Sequence, residues 1–106
     1  MARRAIKWAP IAWEDLEKIA EFIARDSERY AAAVVREIRD ASRSLDVLSE
    51  RGRVVPEFAN PNVRELIVGS YRLIYEVAAD SVTVVGVIHG ARDLSRSWER
   101  QRRAPE

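Results

Sequence analysis

Two residues, Gly69-Ser70, separate two runs rich in β-branched and aromatic side chains, Val63–Val68 and Tyr71–Val77. So short a connection between strands permits one geometry, an antiparallel hairpin, and glycine in first place suits a type II′ turn, which needs a positive φ there. A third run, Val82–His89, follows the short loop Ala78–Ser81. That loop too is far shorter than a parallel crossover requires. Pairing through the turn also assigns faces, because side chains alternate along a strand. Leu66, Val68, Tyr71, Leu73, Tyr75 and Val77 share one face; Glu65, Ile67, Arg72, Ile74 and Glu76 share the other. If helices cover the first set, Arg72 stands on a partly open, charged surface.

The first half of the chain supplies those helices. A short strand is expected at Arg4–Trp8, and Pro10 then sits where a first helical turn tolerates a missing N–H. From there to Arg25, Ala12, Trp13, Leu16, Ile19, Ala20 and Ile23 recur on one face, with Phe22 at its border. Ser27 is an expected N-cap for a second helix. Its apolar seam reads Ala31, Val34, Ile38, Ala41, Leu45, Leu48, and Asp26-Ser27 is so short a linker that the two helices form an αα-hairpin. Gly52 closes the helical half, Pro56 confines Arg53–Phe58 to an edge strand or irregular segment, and Asn60-Pro61-Asn62 makes a turn. The expected architecture is α+β: an N-terminal αα-hairpin on an antiparallel sheet of about four strands. The 106 residues hold one domain, 1–94, with 95–106 a basic polar tail whose one large apolar residue is Trp98.

Composition narrows the chemistry. The chain has no cysteine and one histidine, which removes thiolate sites, leaves no spacing that would hold a metal, and fits a reducing compartment. No cofactor is expected. The N-terminus shows neither a signal peptide nor a membrane span, which makes the cytoplasm the expected location. A net charge of +1 argues against a simple polyanion binder. Of the 18 basic residues 16 are arginine, the side chain suited to bidentate recognition of phosphate and carboxylate, although GC-rich coding yields the same excess. There is no phosphate-binding glycine loop, no HExxH and no nucleophile elbow. What remains is a group of residues at strand ends: Arg64, Arg72, His89 and Arg92.

The run Val63-Arg-Glu-Leu-Ile-Val-Gly-Ser-Tyr-Arg-Leu-Ile-Tyr-Glu-Val77, followed by Val87-Ile-His-Gly-Ala-Arg-Asp-Leu94, resembles the RelE/ParE superfamily of type II toxin–antitoxin toxins. Ala12…Asp15-Leu16…Ile19…Ile23-Ala24-Arg25-Asp26 is similar to the first helix of that family, and Gly52–Glu57 to its post-helix segment. The resemblance implies a growth-inhibiting toxin held by a cognate antitoxin in a hetero-oligomer. It also implies one of two targets. RelE-like members cut mRNA in the ribosomal A site, where the 2′-hydroxyl attacks a phosphate and the site supplies a base, an acid and cations. ParE-like members inhibit DNA gyrase.

Carried over by position, Arg72 matches the arginine of the Tyr-Arg-Leu-x-Tyr motif, Arg92 the arginine after the last strand, and Arg64 falls near a first cationic position. Leu66 stands where RelE-like members have a second lysine, and Trp98 where they have a tail tyrosine. Arginine is a poor base and tryptophan moves no proton, so His89 is the remaining proton carrier near neutral pH. The His-Gly-x-Arg-Asp sequence recurs in ParE-like members. The expectation is therefore gyrase inhibition, with Arg64, Arg72, Arg92 and Trp98 contacting the target. The alternatives are a ribosome-dependent endoribonuclease using Arg72, Arg92 and His89, or a degenerate toxin that only binds antitoxin.

Overall fold

The computed structural model describes residues 3–90. In chain order come β1 (Ala5–Trp8), α1 (Pro10–Ala24), α2 (Glu28–Arg43), a 3-10 turn (Ser44–Asp46), β2 (Arg53–Val54), β3 (Val63–Val68), β4 (Tyr71–Val77) and β5 (Ser81–His89). The five strands form one sheet in the order β1-β5-β4-β3-β2. Strands β2 to β5 are the expected antiparallel set of four. β1 adds a parallel edge, Ala5 opposite Ser81 and Trp8 opposite Val84. A parallel pair needs a long connection, and both helices and three strands lie between β1 and β5.

Local chemistry explains the helices. Pro10 occupies the first position of α1, and the Ala9 carbonyl accepts from Ala12 and Trp13 N–H. Ser27 caps α2 by accepting from Tyr30 N–H at 3.0 Å. The two helices pack on one sheet face around Leu16, Ile23, Val34, Ile38, Leu45, Leu73, Tyr75 and Val84, all buried. The seam expected along α2 runs only to Leu45. There the helix tightens into the 3-10 turn, the phase is lost, and Leu48 is turned out to 55% exposure. Trp13, expected inside, is 41% exposed and stacks on Trp8, ring centroids 4.5 Å apart.

The hairpin turn is as expected, with Gly69 at φ 60° and no other described residue at positive φ. Leu66 pairs with Leu73 and Val68 with Tyr71, facing the helices. The opposite sheet face is not open. Val55, Val63, Ile74 and Ile88 form a second buried cluster there, with Phe58 and Val85 against it. The segment from Val55 to Asn62 folds back over this face, Val55 N–H donating to the Val63 carbonyl and Val63 N–H to that of Asn60. Gly52, read from sequence as the breaker of the helical half, lies well beyond the last helical turn. Its role is close approach: a Cβ there would lie 2.4 Å from the Glu65 carbonyl and 2.6 Å from the Tyr75 hydroxyl.

Candidate functional site

Arg72 emerges from the middle of β4 onto the second face, as the hairpin register dictates, and this face is closed. The residue is 6% exposed, which corrects the expectation of a partly open Arg72. Its guanidinium is gripped on two sides. Nη1 and Nη2 donate to the two carboxylate oxygens of Glu57 at 3.1 and 3.0 Å, a bidentate fork, while Nε and Nη2 meet Oε1 of Glu65. Glu65 is 1% exposed, and its other oxygen accepts from Arg53 Nε. Hydrogen bonding to Glu57 holds the Arg72 guanidinium more firmly protonated than usual, against the opposing effect of burial.

A buried charge is tolerated only when it is paired and fully hydrogen-bonded, and this quartet meets that condition. Every buried side-chain nitrogen and oxygen among the described residues has a partner. The arrangement ties the 53–58 segment to β3 and β4. Neither Glu57 nor Glu65 was singled out from the sequence. The signal was available for Glu65, since the hairpin register places it on the same face as Arg72 and diagonal to it.

The other sequence candidates lie apart from this quartet. Arg64 is opposite Tyr75 and so projects from the helix-facing side of β3, where Nη1 donates to the Gly52 carbonyl at 2.8 Å. His89, exposed at the end of β5, is opposite Tyr71 and meets its ring edge-on at 5.7 Å. Arg72 is paired with Ile88, so His89 and Arg72 come from adjacent positions and leave by opposite faces. Arg64 and His89 share a face but sit toward opposite ends of the sheet. Arg92 and Trp98 lie outside the described residues. No grouping of three or more potential metal ligands occurs among the described residues.

A groove of about 390 Å³ runs between α1 and the ends of β4 and β5, lined by Asp15, Ile19, Phe22, Tyr71, Val87 and His89 among others. Asp15 accepts from Val87 N–H at 3.0 Å, an amide past the end of the β1 pairing. A second groove of about 530 Å³ follows the outer side of the helical hairpin. Its floor is small, with Ala20, Ala24 and Ala31, and its walls carry Arg36, Arg39 and Arg43. The first groove carries a carboxylate and an imidazole, Asp15 and His89, with Asp15 already committed to the Val87 amide.

Comparison with curated proteins gives no match. Comparison with solved structures finds the same fold repeatedly. A chain of the chromosomal ParDE toxin–antitoxin system from P. aeruginosa superposes with a TM-score of 0.69 at 19% identity, covering 82% of this chain and 96% of that one. A chain of the RelBE2 toxin–antitoxin complex from Mycobacterium tuberculosis gives 0.59 at 23% identity, covering 87% and 97%. The YoeB dimer from Staphylococcus aureus gives 0.56 at 18% identity, covering 83% and 98%. At these identities the likeness is one of fold. The family model for the ParE toxin of the type II toxin–antitoxin system parDE matches residues 6–94, nearly the whole described chain and the segments from which the resemblance was read. The chain therefore belongs to the ParE toxin family of type II toxin–antitoxin systems.

Proposed function

We propose that this toxin is held in the cytoplasm by a cognate antitoxin, as a hetero-oligomer, and that on release it inhibits DNA gyrase rather than cutting mRNA. The observation that carries the reading is the occupancy of Arg72. Ribonuclease chemistry of the RelE type needs this strand arginine free to meet a phosphate whose charge grows in the transition state. Here two carboxylates already fill it, and a phosphate would have to displace Glu57 and leave Glu65 beside a second negative charge. His89, the remaining proton carrier, leaves the strand on the other face. Arg64, Arg92 and Trp98 stay as the target contacts in this reading, with Arg72 a structural cation.

Purified protein in parallel gyrase-supercoiling and ribosome-primed mRNA cleavage assays tests it. The expected result is loss of supercoiling with intact mRNA, accompanied in cells by SOS induction and filamentation. Cut mRNA with active gyrase overturns the target assignment. Absence of both effects, with normal growth, leaves a protein that binds only antitoxin.

A further inference from the structure

Four described arginines close ion pairs: Arg3 with Asp46, Arg43 with Asp40, Arg53 with Glu65, and Arg72 with Glu57 and Glu65. Three others are fixed differently. Arg4 donates from Nε to the Ala78 carbonyl at 2.9 Å and from Nη1 to Ser49 Oγ at 3.1 Å. Arg51 donates from Nη1 to Ser44 Oγ at 2.9 Å, and Arg64 from Nη1 to the Gly52 carbonyl, with a longer 3.4 Å contact to that of Glu50. Each of the three has an anchor in one stretch, residues 44–52, and Arg4 a second at Ala78; all these acceptors are neutral oxygens. Neutral acceptors fix the side chains without cancelling their charge, and each guanidinium keeps further N–H donors.

The same stretch exposes apolar surface. The 3-10 turn that ends the α2 seam puts Val47 at 39% and Leu48 at 55% exposure, and both line a hollow of about 380 Å³ with Arg4, Ser49, Glu50 and Arg51. Exposed leucines scattered singly need no explanation. An adjacent pair bordered by pre-positioned guanidiniums has the composition of a protein-binding centre, where arginine and apolar side chains gather. Among the described residues Glu50 is the one acid lining the hollow, against Arg4 and Arg51, so positive charge is in excess there. A nucleic acid fits less well, because among the described residues no aromatic side chain lines the hollow to stack on a base.

We propose that Arg4, Arg51 and Arg64, with Val47 and Leu48, form a docking site for an acidic segment of the protein target. An apolar side chain of that segment enters the hollow, and carboxylates on either side of it meet the guanidiniums. The proposal rests on the reading of this toxin as one directed at a protein, and it names the chemistry of the surface that makes the contact.

The test uses three labelled probes with the full-length toxin: a ten-residue peptide alternating Glu and Leu, the same length alternating Gln and Leu, and a ten-residue oligodeoxyadenylate. The Glu–Leu peptide should bind at least about tenfold more tightly than the Gln–Leu peptide, and its affinity should fall with salt. Arg51→Gln with Arg64→Gln should weaken it about tenfold or more, as should Leu48→Ser alone, which sits on an exposed side chain and leaves the fold intact. Equal affinity for both peptides overturns the proposal, and so does tighter binding of the oligonucleotide. Unchanged peptide binding in Leu48→Ser overturns it even where the arginine variants fail to fold. These readouts involve neither gyrase nor growth, so a negative supercoiling assay and a negative peptide assay mark separate failures.

Discussion

Removing one member of a buried charged cluster leaves its partner charged and unpaired, which is why such residues act on stability far out of proportion to their number. Arg72→Ala leaves Glu65, whose side chain is fully buried, with only the mostly exposed Arg53 to offset its charge among the described residues, and should cost about 3–5 kcal/mol. Urea unfolding measures this, and growth inhibition should fall together with stability. Lost toxicity at wild-type stability would instead return Arg72 to the target surface. Tyr75 carries a second residue-scale expectation. Burial pushes its phenol above the usual tyrosine value, although the hydrogen bond from Gly52 N–H opposes this. A folded-state value above the unfolded one means that stability is fully present below about pH 10 and declines as pH rises beyond it. Tyr75→Phe should flatten that alkaline decline and cost about 1–3 kcal/mol at neutral pH, because the Gly52 amide loses its acceptor. Urea midpoints at pH 7 and pH 11 for both proteins decide it.

At the level of elements, the transition from α2 to the loop after it matters most. Leu45 is the last residue of the seam to be buried, at 0% exposure, and Leu45→Ala should cost about 2–5 kcal/mol, read from denaturant midpoints. Leu48→Ala, three residues on and largely exposed, should stay within about 0.5 kcal/mol. The contrast also shows how far sequence reading reached. Periodicity placed Ile38 and Leu45 inside correctly, because Ile38 lies within α2 and Leu45 only two residues beyond its end, before the tighter turn has shifted the phase far. It failed at Leu48, since the seven-residue repeat assumes a helix that continues, and nothing in Ser44-Leu45-Asp46 announces the 3-10 turn. The hairpin faces were legible because a two-residue turn fixes register. What covers the second face was not, because the Val55–Asn62 segment has no periodicity, and its fit depends on Val55 and Phe58 meeting Ile74 and Ile88. The candidate site suffered for the same reason. Arg72 was correctly placed on its face, and the closure of that face by Glu57 came from a segment read only as an edge strand or irregular.

Over the whole molecule, the two central strands β4 and β5 each serve both hydrophobic clusters, β5 sending Val84 and Val87 toward the helices and Ile88 toward the second cluster. β4 sends Leu73 and Tyr75 toward the helices and Ile74 toward the second cluster. Neither cluster can come apart without disturbing the other, so unfolding should be a single transition. Ile74→Ala should lower its midpoint without splitting it, with near- and far-ultraviolet circular dichroism following one curve. Separate curves would mean that the Val55–Asn62 cover opens by itself. The parallel pairing of β1 with β5 adds a constraint in time. Ala5 pairs with Ser81 across both helices and three intervening strands. Contacts so distant in sequence form late, and a sheet that requires its last strand cannot be assembled on a partial chain. A ribosome making this toxin therefore holds an incomplete sheet until β5 has been synthesised, an interval in which a neutralising protein can already be waiting.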